Sequence, residues 1–146
     1  EPREPVSINL DLPAFLPEEY VAEPGQRLSI YKRLSAAESA EEVAAVQDET
    51  RDRFGPLPEP ARNLFRTAEL RVAAEAQGAV AVDWTGDGIS VRYGQRPKVD
   101  ADKIIRLAQQ EPGVRLSPGG VVRLRVGDAR ADRIVAASLA LRKLVS

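Results

Sequence analysis

Apolar residues recur at every second position near the start of the chain, where Val6, Ile8 and Leu10 alternate with Ser7, Asn9 and Asp11. That period predicts a half-buried strand, and Pro13 ends it because proline has no N–H to give to a ladder. Pro17 opens a brief turn through Glu18, Glu19 and Tyr20, since proline suits a first helical position and carboxylates favour the positive helix start. From Gln26 to Ala37 the period lengthens. Leu28, Tyr31 and Leu34 fall three apart and leave Arg27, Lys32 and Arg33 for other faces, which predicts an amphipathic helix with the first three inward.

Ser39 is placed to cap a second helix, with Glu42 three residues later reaching back in a capping box. Val43, Val46, Thr50 and Phe54 recur at spacings of three, four and four and form one inward stripe. The stripe stops at Gly55, where a helix commonly leaves through a left-handed residue, and Pro56 and Pro58 reinforce the break. At about 100° per residue, Glu38, Glu41, Glu42, Asp48, Glu49 and Asp52 fall opposite that stripe, so one face of this helix is acidic. Pro60 starts a longer helix in which Ala61, Leu64, Phe65, Ala68 and Val72 line one side up to Gly78. Its small inward residues allow close packing on the helix before it.

The second half changes period. Val80, Val82 and Trp84 alternate with Ala81 and Asp83; Thr85-Gly86-Asp87-Gly88 supplies turn chemistry; Ile89, Val91 and Tyr93 alternate with Ser90 and Arg92. This pattern predicts a hairpin with Trp84 in its apolar phase. Asp100 caps a helix carrying Ile104, Ile105, Leu107 and Ala108, which Pro112-Gly113 stops. A second hairpin follows, from Val114 to Leu116 and then from Val122 through Leu124 to Val126, turning at Ser117-Pro118-Gly119-Gly120. Asp128 is expected to cap the last helix, with Ile134, Ser138, Leu141 and Val145 in one row and Val135 and Leu139 widening it. The reading is α+β: an N-terminal strand and helices, then two β-hairpins with intervening and C-terminal helices.

The 146 residues suit one core, so a single compact domain over 6–146 is expected after a linker at 1–5. Absence of Met, and a start at Glu1-Pro2-Arg3-Glu4-Pro5, read as a piece of something larger. Absence of Cys and His excludes a disulfide framework, a Cys nucleophile, a Ser-His-Asp triad and the common zinc sites. No apolar run approaches the roughly 18 residues that span a bilayer, and no signal-peptide pattern is present. A monomeric, cytoplasmic chain without membrane contact is expected. The net charge of −1 hides two opposed halves: residues 1–54 hold 12 acidic and 6 basic side chains, residues 55–146 hold 10 and 15. Such a split suits either biased solvated faces or a docking polarity.

Candidate chemistry is sparse. Thr85-Gly86-Asp87-Gly88 and Pro118-Gly119-Gly120 lack the Lys-Ser/Thr and strand-to-helix placement of a phosphate cradle, and the loop around Asp83 and Asp87 lacks calcium-loop spacing. Arg123 and Arg125, with Arg130 and Arg133 nearby, could contact phosphates, but water-facing sheet residues are ordinarily charged and no aromatics interleave with them. Direct DNA binding is therefore the less favoured alternative. Glu49 and Asp52, three apart on the acidic helix face, could act as paired acids, bind a cation, receive arginines from a partner, or simply be solvated. Catalysis is the weakest of these, because an exposed helix face supplies little desolvation to perturb a pKa.

Three blocks carry a resemblance: Leu12-Pro13-Ala14-Phe15-Leu16-Pro17-Glu18-Glu19-Tyr20-Val21, Arg27-Leu28-Ser29-Ile30-Tyr31-Lys32-Arg33-Leu34, and Asp52-Arg53-Phe54-Gly55-Pro56-Leu57-Pro58. In this order they resemble the C-terminal domain of bacterial transcription-repair coupling factors over about residues 8–70; beyond that only element order and scattered apolar positions are similar. The resemblance implies a parent that is an ATP-driven translocase on double-stranded DNA, displacing stalled RNA polymerase and recruiting UvrA. ATP and Mg would belong to the parent's motor, and this domain would need no cofactor of its own. It also implies a regulatory clasp that packs on the parent's UvrA-binding module, with Glu49 and Asp52 meeting arginines there. This chain departs from the family pattern at Asp48 and Thr50-Arg51, where aliphatic residues are usual, and Arg51 adds a positive charge between the two contact acids. The alternative function is a DNA-contacting accessory domain using the basic second half.

Overall fold

Ser39 and Gly55 bracket the central helix of the N-terminal half as expected, and the elements around it follow from the same local chemistry. The computed structural model of the chain describes residues 5–126 and 132–145. They divide into two compact units, one of residues 12–72 and the other of the residues up to Asp11 together with those from Ala73 onward. Five helices and one five-stranded mixed sheet among the described residues make the fold α+β. The linker expected at 1–5 lies, apart from Pro5, outside the described residues.

The helical unit holds α1 (Pro24–Ala36), α2 (Ala40–Phe54) and most of α3 (Glu59–Ala76). Helix α1 starts two residues before Gln26 because Pro24 occupies its first turn, where a missing N–H costs nothing. Ile30 and Leu34 are its buried residues, while Leu28 is 54% exposed. A spacing of three falls about 60° short of a full turn at each step, so Leu28 leaves the inward face, while Tyr31 packs half-buried on the core and Leu34 is buried with Ile30 four residues before it. In α2, Ser39 Oγ accepts the Glu42 N–H at 3.1 Å. The returning Glu42 carboxylate accepts the N–H of Glu38 at 2.7 Å, one residue before the cap itself. Val43, Val46 and Thr50 are buried, and the Thr50 hydroxyl donates to the Val46 carbonyl at 2.7 Å, which satisfies it inside the core. Ala61, Phe65 and Ala68 of α3 complete that core, with Phe54, Leu64 and Val72 packed at its edge.

The sheet unit orders its strands β1-β2-β3-β5-β4, with β1 (Ser7–Asn9), β2 (Ala79–Trp84), β3 (Gly88–Tyr93), β4 (Val114–Ser117) and β5 (Val121–Arg125). Both expected hairpins form, and β5 pairs with β3 to join them. Strand β1 runs parallel to β2, the whole of residues 12–72 being the long connection that a parallel pair requires. Ala79 faces Tyr93 but Ala81 already faces Arg92, so Val80 is an extra, bulged residue and Ala79 takes the buried place that alternation assigned to Val80. Trp84 is half-buried rather than core, and the Arg133 guanidinium lies 4.7 Å from its ring centre. Gly88 is required by close approach: a Cβ there would lie 2.1 Å from the Leu124 carbonyl oxygen.

Two helices accompany the sheet, α4 (Ala101–Gln110) and α5 (Arg133–Val145). Asp100 caps α4 as expected, accepting the Asp102 and Lys103 N–H groups. Asp128 lies outside the described residues; α5 is capped by Asp132, whose Oδ1 accepts from Ile134 and Val135. Helix α5 buries Ile134, Ala136, Ala137, Ala140, Leu141 and Leu144, leaving Val135, Leu139 and Val145 about half exposed. Ile134 and Leu141 of the expected row are buried, whereas Val145, Val135 and Leu139 are not, because this helix is apolar nearly all round. Its alanine side is the one that permits close packing. Gln77 ties the unit together, donating to the Leu141 carbonyl at 2.9 Å and accepting the buried Tyr93 hydroxyl at 3.3 Å.

Burial pushes the Tyr93 phenol up to about 12 from its ordinary 10.0. A phenol held neutral by folding adds stability that is complete below the unfolded value and is lost as pH rises through the folded one. Unfolding free energy should therefore hold to about pH 10 and fall between pH 10 and 12, and Tyr93→Phe should remove much of that fall. Urea melts across that range check this, and an identical alkaline decline in the variant would contradict it.

Candidate functional site

The acids of α2 are where the helical pattern placed them. Val43, Val46 and Thr50 turn one side inward, and Glu38, Glu41, Glu42, Asp48, Glu49 and Asp52 are all exposed. Within this set the side chains are not equivalent. Glu42 is committed to the helix start. Asp48 pairs with Arg51 three residues on, so the positive charge expected between Glu49 and Asp52 is drawn instead to the flank of the face. Glu49 receives Arg33 from α1, an ion pair whose side chains are 59% and 47% exposed. Asp52 is exposed and has no ion pair or hydrogen bond from its side chain among the described residues.

The two expected contact acids are thus brought to one face but in different states. Asp52 is available to a cation outright; Glu49 must share or exchange Arg33. Arg33 is the site residue that the sequence pattern does not reveal, because its contact depends on how α1 and α2 align, which spacing within one helix does not encode. Neither acid has the enclosure that acid-base chemistry requires. An open cavity beside α4 and α5 offers no free carboxylate either, since Glu111 on its wall pairs with Lys143 at 2.5 Å.

Other motif residues turn out to be joints of the helical unit. The Tyr20 hydroxyl donates to the Gly55 carbonyl at 2.7 Å, and its ring sits 6.0 Å from that of Phe54. Burial raises the Tyr20 phenol above its ordinary value, with Arg51 partly opposing. The Tyr31 hydroxyl accepts the Leu16 N–H at 2.8 Å, and Arg27 donates to the Val21 and Ala22 carbonyls. Of the basic cluster, Arg123 and Arg125 are exposed on β5, whereas Arg133 is withdrawn from it. It stacks on Trp84 and donates to the Leu10 and Asp11 carbonyls at 3.1 and 2.6 Å. Arg130 lies outside the described residues.

The TRCF domain matches residues 10–104 of the chain. The chain belongs to the TRCF domain family. Sequence relatives agree: the transcription-repair-coupling factor of Haemophilus influenzae is 40% identical over 105 residues, covering 72% of this chain and 9% of that protein. The Mycobacterium bovis protein of the same name is 42% identical over 112 residues, 75% of this chain and 9% of that one. The Myxococcus xanthus protein, at 30% identity, extends the match to 94% of this chain and 12% of its own length. This TRCF domain therefore spans about a tenth of the length of these relatives, and the match reaches well past the three motif blocks. The crystal structure of the C-terminal domain of a transcription-repair coupling factor has the same fold, with a TM-score of 0.79 over 97% of this chain and 92% of that one at 17% identity.

The Arg33–Glu49 pair should contribute little to the fold of this TRCF domain. A double-mutant cycle with Arg33→Ala and Glu49→Ala, read by urea midpoints, should give a coupling of about 0.2–1 kcal/mol, the range of exposed pairs. A coupling above about 2 kcal/mol would make Glu49 a structural residue and remove it from any docking surface.

Proposed function

We propose that this TRCF domain is a non-catalytic regulatory latch within a longer transcription-repair coupling factor. Its α2 face docks on the UvrA-binding module of the same polypeptide, masks the surface that recruits UvrA, and restrains the parent's DNA translocase motor. UvrA and RNA polymerase are partners of the parent rather than of this domain. ATP and Mg serve the motor, in the cytoplasm, and the domain acts as a monomer without membrane contact; among the described residues no helix is long and apolar enough to cross a membrane.

The observation that carries this reading is Asp52, exposed and unpaired beside Glu49 on the outward face of a rigid helix. A carboxylate so held accepts charge-assisted bonds from a guanidinium without reorganising the fold. Each desolvated bond is worth about 1–3 kcal/mol, and one at a wet rim much less. A tethered partner has an effective concentration in the millimolar range, so such a weak contact holds closed within one chain and yields to a competitor. Arg33 fits a reversible latch, because it neutralises Glu49 while the face is free and can be exchanged for a partner's arginine.

In the full parent, reversing both charges with Glu49→Arg and Asp52→Arg should raise UvrA affinity about tenfold, the equivalent of roughly 1.4 kcal/mol of lost latching. The ATPase rate should rise with it. Wild-type UvrA affinity and ATPase rate in that variant, with circular dichroism showing it folded, would overturn the proposal.

A further inference from the structure

The strand register gathers arginines on the side of the sheet that α5 does not cover. Val82, Ile89, Val91, Val122 and Leu124 all point to the buried side. Residues in the opposite phase therefore share the other face: Ser90 pairs with Arg123, which pairs in turn with Arg115, while Arg92 pairs with Val121 and Gly88 with Arg125. Arg92, Arg115, Arg123 and Arg125 are all exposed. Arg125 has Asp87 at 3.9 Å. Arg92, Arg115 and Arg123 have no ion pair or hydrogen bond from their side chains among the described residues. Asp83 is the one acid in the same phase on β2, separated from Arg123 by the strand that carries Ser90.

We propose that this arginine face contacts the phosphate backbone of duplex nucleic acid. A merely solvated face mixes its signs, and cross-strand neighbours, about 5 Å apart at Cβ, favour opposite charges; like charges directly opposite destabilise the sheet. Arg115 and Arg123 are such a like-charged pair, and an external polyanion is what turns their proximity from a cost into a gain. The planar guanidinium fork suits phosphate oxygens, and Ser90 and Ser117 on the same face add hydroxyl donors of the kind that accompany backbone contacts. An acidic protein partner fits less well, because protein interfaces centre on apolar or aromatic anchors and half-buried Val121 is the largest apolar side chain in this phase on β3, β4 and β5. Single strands fit less well too: Tyr93 and Trp84 lie in the opposite, inward phase, so the face has no stacking platform. The result is sequence-independent grip on a duplex. It does not rest on the latch, whose acids belong to the other unit.

The test titrates the 146-residue chain into a fluorescent DNA duplex of about 20 base pairs and follows anisotropy from about 20 to 200 mM NaCl. Three phosphate contacts give a slope of log K against log salt near −2.7, and removing one arginine lowers it by about 0.9. Arg115→Thr and Arg123→Thr should each lower the slope by that step. Arg115→Thr should also leave Tm unchanged or raise it by about 1–4 °C, because it relieves the like-charge pair. The proposal is overturned by absence of binding at the lowest salt, by an unaltered slope in both variants, by a Tm drop that ties Arg115 to folding, or by equal binding of polyglutamate.

Discussion

Helix α2 can bury one side only, and Val43, Val46 and Thr50 determine which side that is. Turning the helix by a single residue, about 100°, would drive Glu49 toward the core and lift Thr50 out. Burying an unpaired carboxylate costs far more than the few tenths of a kcal/mol that separate helix propensities. The apolar stripe thus does two things at once: it closes the core of the helical unit and it holds a row of carboxylates in water. Whatever these carboxylates bind, they meet it preorganised, on an element anchored at one end by the Ser39 cap and at the other by Gly55.

The motif blocks that mark the family meet one another in the folded unit. Leu16 and Tyr20 of the first block touch Tyr31 of the second and Gly55 of the third through hydroxyl-to-backbone bonds. Arg71 adds the α1 exit, donating to the Leu34 and Ala37 carbonyls at 2.9 and 2.8 Å. These side chains satisfy backbone groups that helix ends and turns leave open. Their function is to hold three helices in register, while Glu49 and Asp52 ride on the platform so made. Thr50 shows the same economy, taking a buried place in the core and hiding its hydroxyl against its own helix.

Elements with a single strong period were legible from sequence: the α2 stripe, the two hairpins and the Asp100 cap all stand where spacing put them. Legibility failed where two phases competed. Helix α5 offers apolar residues on every side, so nothing in the text marked Val135 and Leu139 as the outer ones. The bulge at Val80 shifts a strand's phase by one residue without any glycine or proline to announce it. At the candidate site, the exposure of Asp52 followed from the helix alone. The Arg33 contact with Glu49 and the facing of Arg115 and Arg123 depend on how separate elements align, which periodicity within one element does not encode.

Whether the outward face of α2 grips a UvrA-binding module, as proposed, is read most plainly by nuclear magnetic resonance. Isotope-labelled TRCF domain would be titrated with the parent's separate UvrA-binding module at low salt, and the amide shifts mapped. Weak binding is expected that moves the signals of Glu49, Asp52 and their neighbours along α2, fades as salt rises, and is abolished by Asp52→Arg. Shifts clustered elsewhere, with α2 silent, would contradict it.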